Sequence, residues 1–296
     1  MRVFVTGATG FVGTAVVQEL LNAGHRVLGL ARSESSAQKL IAAGADVHRG
    51  DLEDLDSLRS GAAGADGVVH AGFIHDFTRF QQVCQVDKVA IETIGDVLAG
   101  SGRPFIVTSG TALVSPGQTA TESIRPPVKP AWPRASEQTA DAVAGAGVRA
   151  ASVRLSPSVH GEGDLHGFIP ILVNIAKEKG VSAYIGEGLN RWNAVHRLDA
   201  ARLFRLALEN AEPAARYHAC ADEGITVKAI ASAIAEQLKL PVVSVPPDAA
   251  AAHFGWFAQM VAIDCPASSE WTQQHLNWRP GHPTLLEDIN NGVYTK

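Results

Sequence analysis

The sequence predicts an α/β chain, a doubly wound parallel sheet joined to a smaller C-terminal domain. Three observations predict it. Short apolar runs alternate with amphipathic stretches from Arg2 to Ser156, the pattern of a parallel sheet covered by helices on both faces. The first run ends in a glycine-rich turn, TGATGFVG at 6–13, which opens a helix. After residue 158 the alternation loosens, helices dominate, and the chain turns aromatic at HFGWF, 253–257.

Taken in order, RVFVTG (2–7) reads as a buried strand and FVGTAVVQELLNAG (11–24) as a helix closed by Gly24. HRVLGLAR (25–32) is a second strand, SAQKLIAAG (36–44) a helix and ADVHRGD (45–51) a third strand. GADGVVHAG (64–72) ends in the fourth strand, DKVAIETIGDVLAGSG (87–102) is helical, and RPFIVTSG (103–110) is the fifth strand. SIRPPVKPAWP (123–133) is an irregular loop before a helix, and VRAASVRLS (148–156) is the sixth strand. Right-handed connections place ligands at the carboxyl ends of these strands.

In the second half, GDLHGFIPILVNIAKEKG (163–180) contains a helix. LDAARLFRLALENA (198–211) is an amphipathic helix with Leu198, Leu203, Leu206 and Leu208 among its apolar residues. ARYHACA (215–221) could return as a last sheet strand, and TVKAIASAIAEQLKL (226–240) is helical. Nothing resembles a flexible linker, so the two domains are interwoven. Residues 1–158, with 192–221 returning, form one; 159–191 and 222–296 form the other.

Composition excludes several classes. The 296 residues are 46% apolar and 19% charged, enough to bury a sizeable core. A net charge of −5 offers no basic surface for nucleic acid. Apolar runs fall short of a membrane span, and the strand pattern begins at Val3 without a charged leader. Cys84, Cys220 and Cys265 are far apart and in no CxxC arrangement, which fits a reducing cytoplasm. No HExxH or paired CxxC spacing suggests a metal.

The glycine turn carries the first functional reading. Gly7 permits the tight turn, Gly10 lets backbone approach a pyrophosphate, and Gly13 lets helix pack on strand. Phosphates then meet free N–H groups at the positive end of the helix. The spacing GxxGxxG after Thr6 resembles the short-chain dehydrogenase/reductase superfamily in its extended, NAD-dependent epimerase/dehydratase-like branch. GDL (50–52), VVHAG (68–72), RLSPSVHG (154–161), WNAVHRLDAA (192–201) and LNWRP (276–280) resemble further segments of that branch, with His160 where the family has Tyr. The resemblance implies a Rossmann fold, a nicotinamide dinucleotide, a small-molecule substrate, and a homodimer as one arrangement. It implies cofactor contacts at Thr6, Gly7, Thr9, Gly10, Phe11, Val12, Arg32, Ser33, Asp51, Leu52, His70, Ala71, Gly72, Thr108, Ser109, Pro157 and Val159.

Relatives that prefer NAD keep an acid after the second strand to hold both ribose hydroxyls. Here Ala31 is followed by Arg32 and Ser33. A guanidinium there can hold a 2′-phosphate, so NADPH is expected over NADH, with Glu34 near enough to blunt the preference.

The proton donor is missing. Members of this superfamily use Ser, Tyr and Lys in the arrangement YxxxK, but the residues four beyond Tyr184 and Tyr217 are Gly188 and Ala221, and the sequence as given ends before Tyr294 plus four. In the resembling stretch Pro133 stands for Tyr and Glu137 for Lys, or Arg134 fills the Tyr volume. Arg134 and Glu137 could equally pair on a helix surface. Ser109 or Thr111 matches the family's hydroxyl; His75, Asp76, His160, Tyr184 and His196 are further candidates at the carboxyl edge. An iminium accepts hydride without an added proton, and acids such as Asp76 or Glu137 would suit its charge. The sequence therefore predicts an NADPH-dependent oxidoreductase acting on a small carbonyl or C=N substrate. The alternatives are a nucleotide-sugar epimerase or dehydratase and a non-catalytic NADP-binding sensor. His253, Phe254, Trp256 and Phe257 could line a pocket, form a dimer interface, or pack in the core.

Overall fold

Strand and helix alternate through the computed structural model, which describes residues 1–112, 114–126 and 133–295. Most of the expected proline-rich loop, 127–132, lies outside the described residues. The first half runs β1 (Arg2–Thr6), α1 (Phe11–Asn22), β2 (Arg26–Ala31), α2 (Glu34–Ala43), β3 (Asp46–Arg49), α3 (Leu55–Ala63), β4 (Gly67–His70), α4 (Phe80–Leu98), β5 (Pro104–Gly110), α5 (Ser136–Gly145) and β6 (Arg149–Leu155). Then follow β7 (Ser158–His160), α6 (Phe168–Lys179), β8 (Ser182–Ile185), β9 (Arg191–His196), α7 (Arg197–Glu209), β10 (Arg216–Ala219), β11 (Asp222–Thr226), α8 (Val227–Leu238) and β12 (Val242–Val245). Four short helices close the chain: α9 (Ala250–Phe254), α10 (Ala258–Ala262), α11 (Glu270–Leu276) and α12 (Leu285–Asn290).

The central sheet has seven parallel strands in the order β10-β6-β5-β4-β1-β2-β3. Strand order reverses between β1 and β4, which opens the crevice where such sheets bind ligands. Strand β1 shows why the sheet is covered on both faces. Val3 and Val5 point into one core with α1 and α7, while Phe4 points into the opposite core with α3, α4 and α5. All three are fully buried. Helix α7 does what its periodicity demands, burying Leu203 and Leu208 and leaving Leu198 at the surface.

The second half carries its own core. Trp192, Phe254 and Phe257 are buried there among residues of α6, α8 and α10. Phe168, Trp192 and Phe257 meet ring against ring, with centroids 5.0–6.2 Å apart. Two small sheets support it, β11-β9-β7 and β12-β8. Strand β9 thus pairs outside the central sheet, and the segment 192–221 rejoins that sheet through α7 and β10. Of the aromatic quartet, Phe254 and Phe257 are packing residues and Trp256 is exposed. Among the described residues no helix is long and apolar enough to cross a membrane, and no group of three or more His, Cys, Asp or Glu side chains could hold a metal.

Candidate functional site

The crevice begins at the glycine turn. Gly7 adopts φ +65°, and a Cβ there would meet the Gly72 backbone at 2.6 Å. A Cβ on Gly13 would lie 1.9 Å from the Gly7 carbonyl oxygen. The turn is therefore a bare backbone cradle, and no side chain other than hydrogen fits at either position. Gly10 caps α1 without a side-chain bond, and the first turn of α1 contains no acid. Its leading N–H groups, those of Phe11 and Val12 among them, have no intrahelical acceptor. This is a fit for a pyrophosphate.

Beyond β2 lies a cluster of hydroxyls. Ser33 caps α2 by accepting from Ser36 N–H at 3.1 Å, and its own hydroxyl donates to Ser36 Oγ at 3.0 Å. Thr9, from the glycine turn, donates to the same Ser36 oxygen at 3.4 Å. Arg32, next to Ser33 in sequence, stands exposed and forms no hydrogen bond, ion pair or ring contact with a described residue. Glu34 is turned away: Gln38 at 2.8 Å and Arg49 at 2.5 Å occupy its carboxylate and hold it below its ordinary pKa. Asp51 closes a local turn by accepting from Glu53 N–H, and Leu52 sits against Gly72. Ser36 and Arg49 were not singled out from sequence. A third hydroxyl in the run SESS was the available signal for Ser36.

The ends of β1, β4 and β5 are joined by a buried polar string. Gly72 N–H donates to Thr6 Oγ1 at 3.2 Å, and Thr6 Oγ1 lies 2.9 Å from His70 Nδ1. His70 Nε2 is 3.2 Å from Asp87, whose other oxygen accepts from Ser136 Oγ at 2.5 Å. Ser136 Oγ accepts in turn from Arg134 Nε at 2.9 Å. Burial alone would raise the Asp87 pKa, but His70, the Arg134 charge and the Ser136 hydroxyl outweigh it and hold the carboxyl below its usual range. Thr6 and His70 thus spend their side chains inside the protein. Ala71 directly follows β4, Pro157 lies between β6 and β7, and Val159 lies within β7. The Thr108 hydroxyl is spent on the His70 carbonyl at 2.8 Å.

Arg134 reaches the end of β5. Half-buried, it donates from Nη2 to the Thr108 carbonyl at 3.3 Å, and its guanidinium carbon lies 4.5 Å from the Phe73 ring centroid. It does not pair with Glu137. Ser109, one residue on in β5, donates to Glu137 at 3.3 Å.

Several sequence candidates turn out to be occupied elsewhere. Glu137 is 3% exposed and faces inward, where Arg154 Nε and Nη2 donate to it at 2.8 and 2.6 Å and Arg216 Nε at 2.7 Å. Burial would raise its pKa, but the two arginines lower it below normal, so it is a held anion and no proton donor. Asp76 caps a single turn at 77–79; bonds from Thr78 and Arg79 push its pKa down to about 2. Thr111 is buried and donates to Asn193 Oδ1 at 3.0 Å and Leu155 O at 3.3 Å, a strut between strands. His196 caps α7 through Nδ1 and stacks on His282 with centroids 4.8 Å apart. Burial, with His160 nearby, pushes its pKa down to about 4. His160 is paired with Asp288 at 2.6 Å. Tyr184 lies beneath Lys228 in the C-terminal core, and Tyr294 bonds Gly161 N–H and Asp164. His75 remains exposed at the rim, its ring edge-on to Phe73 at 5.5 Å.

Known proteins share this architecture. The family model for the NAD dependent epimerase/dehydratase family matches residues 3–220. An uncharacterized protein of Schizosaccharomyces pombe is 50% identical over 295 residues, 99% of this chain and 100% of its own length. A 4-hydroxy-2-methyl-3-oxo-4-farnesyl-3,4-dihydroquinoline-1-oxide ketoreductase of Stigmatella aurantiaca is 44% identical over 71 residues, 24% of this chain and 21% of that one. Among solved structures, the UDP-glucose 4-epimerase of Thermus thermophilus in complex with NAD superimposes with a TM-score of 0.77 at 21% identity, covering 99% of this chain and 98% of that one.

Proposed function

The chain belongs to the NAD dependent epimerase/dehydratase family, and from that premise we propose that it is an NADP(H)-dependent oxidoreductase that reduces a small carbonyl substrate, with Arg134 in place of the missing tyrosine. The carrying observation is the half-buried Arg134 guanidinium, without a direct carboxylate partner among the described residues, at the end of β5. The Stigmatella ketoreductase match and the NAD complex of the Thermus epimerase support the reaction class.

The cradle at Gly7 and Gly13 and the free first-turn N–H groups suit a pyrophosphate. Arg32, with the Ser33, Ser36 and Thr9 hydroxyls, suits a 2′-phosphate, and the Arg49 pairing takes Glu34 out of its way. A bound dihydronicotinamide supplies hydride. The protein's part is to hold the acceptor oxygen and stabilise the charge that grows on it. Arg134 does this with the guanidinium N–H groups it does not spend on Ser136 and Thr108, and the proton then comes from water. Ser136 and Asp87 fix its orientation from behind.

The electrostatics favour a carbonyl over a cationic imine. Asp76 and Glu137, the acids that would attract an iminium, are neutralised by Arg79 and by Arg154 and Arg216. The charge at the end of β5, Arg134, is a cation. The test is NADPH consumption against activated ketones, aldehydes and cyclic imines, with wild type and Arg134→Gln. Ketone or aldehyde turnover that drops about a hundredfold in the variant supports the reading. Turnover of imines alone, unchanged by the substitution, overturns it.

A further inference from the structure

Arg197 opens α7, directly after β9. Its guanidinium carbon lies 5.1 Å from the centroid of the Phe11 ring, and its side chain forms no hydrogen bond or ion pair with a described residue. Phe11 is the first residue of α1, whose N-terminus lacks both a side-chain cap and an acid in its first turn. By contrast α2, α3, α5, α7 and α12 each place an acid there.

A guanidinium therefore lies against the side chain of the first residue of a helix whose uncapped N-terminus carries roughly half a positive charge. Two carboxylates of the adjoining segments are engaged, and exposed Glu162, between Gly161 and Gly163, forms no ion pair with Arg197. Asp199 accepts from Gly281 and His282 N–H, and Asp164 accepts from Gly167 N–H. Gly161 borders the Arg197 stem and Gly163 its guanidinium: a Cβ on Gly161 would lie 3.4 Å from Arg197 Cγ, and one on Gly163 3.6 Å from Nη1.

We propose that Arg197 is a phosphate clamp, a side-chain cation that closes on the diphosphate held by the glycine turn. It rests on the dinucleotide reading above and adds a charged contact to what is otherwise a backbone site. An arriving diphosphate neutralises both positive ends at once, and charge-assisted bonds of this kind are the strong ones.

The experiment is calorimetric titration of the wild-type chain, Arg197→Met and Arg197→Lys with NADP⁺ and, separately, with 2′-AMP, which lacks the diphosphate. Thermal melts by circular dichroism accompany each variant. The expected result is NADP⁺ affinity lowered at least about tenfold in Arg197→Met and partly restored in Arg197→Lys, with 2′-AMP binding and melting temperature unchanged. Wild-type NADP⁺ affinity in Arg197→Met overturns the clamp alone. An equal loss of 2′-AMP binding also overturns it, since the substitution then damages the whole site. A wild-type chain that binds neither probe overturns the dinucleotide reading with it.

Discussion

Replacing Glu137 by Gln separates a structural anion from a catalytic acid. The substitution keeps the side chain's shape and removes its charge. Arg154, fully buried, then keeps only neutral acceptors: His218 Nε2 at 2.9 Å and the Thr121 and Ile124 carbonyls at 3.3 and 2.7 Å. Arg216 retains Asp141 as an ion-pair partner. The cost is thus that of one orphaned buried cation, at the low end of the roughly 3–5 kcal/mol for breaking such a pair. For a chain of this size about 3 kcal/mol lowers the melting temperature by roughly 5 °C. Urea titration and a calorimetric melt measure both. The acid limb supplies a second check. Glu137 is held below its unfolded value, so its contribution is present above that value and lost as pH falls through the depressed folded one; Glu137→Gln flattens that limb. A variant within about 0.5 kcal/mol of wild type would refute the reasoning, and lost turnover in such a variant would restore Glu137 to the chemistry.

Two further outcomes are expected. Arg32→Ser weakens NADPH binding about tenfold to a hundredfold while leaving NADH within about threefold, measured by fluorescence titration. Stability falls as pH drops from 6.5 to about 4, because burial pushes both His196 and His218 down to about 4 and each folded imidazole resists a proton that the unfolded chain accepts. Urea midpoints across that range show the slope, and His196→Asn reduces it by the share of one histidine.

The doubly wound sheet was legible because its strands bury both faces. Runs such as Val3-Phe4-Val5 have no polar side to hide, and the helices between them keep a clear apolar stripe. The C-terminal sheets were not legible. Strands β7, β8, β11 and β12 are only three to five residues long, and they pair with partners distant in sequence, so periodicity has too few positions to register. Helix α3 was missed for a related reason: LDSLRSGAA offers one fully buried Leu and several small residues, so its stripe is thin.

The site was legible where backbone carries the chemistry and opaque where charge pairing decides it. A glycine turn announces itself in eight consecutive residues. Glu137 does not, because its neutralising partners lie 17 and 79 residues away, and only folding brings Arg154 and Arg216 to it. Asp87 did leave a trace. It falls on the buried stripe of α4 with Val83, Ile91 and Ile94, where a carboxylate survives only if it is well bonded. That trace leads to Ser136 and through it to Arg134. Once the acids are matched to their arginines, Asp76 and Glu137 are ion-paired while Arg134 has no carboxylate partner among the described residues, and the proposed preference for a carbonyl over a cationic substrate rests on that difference.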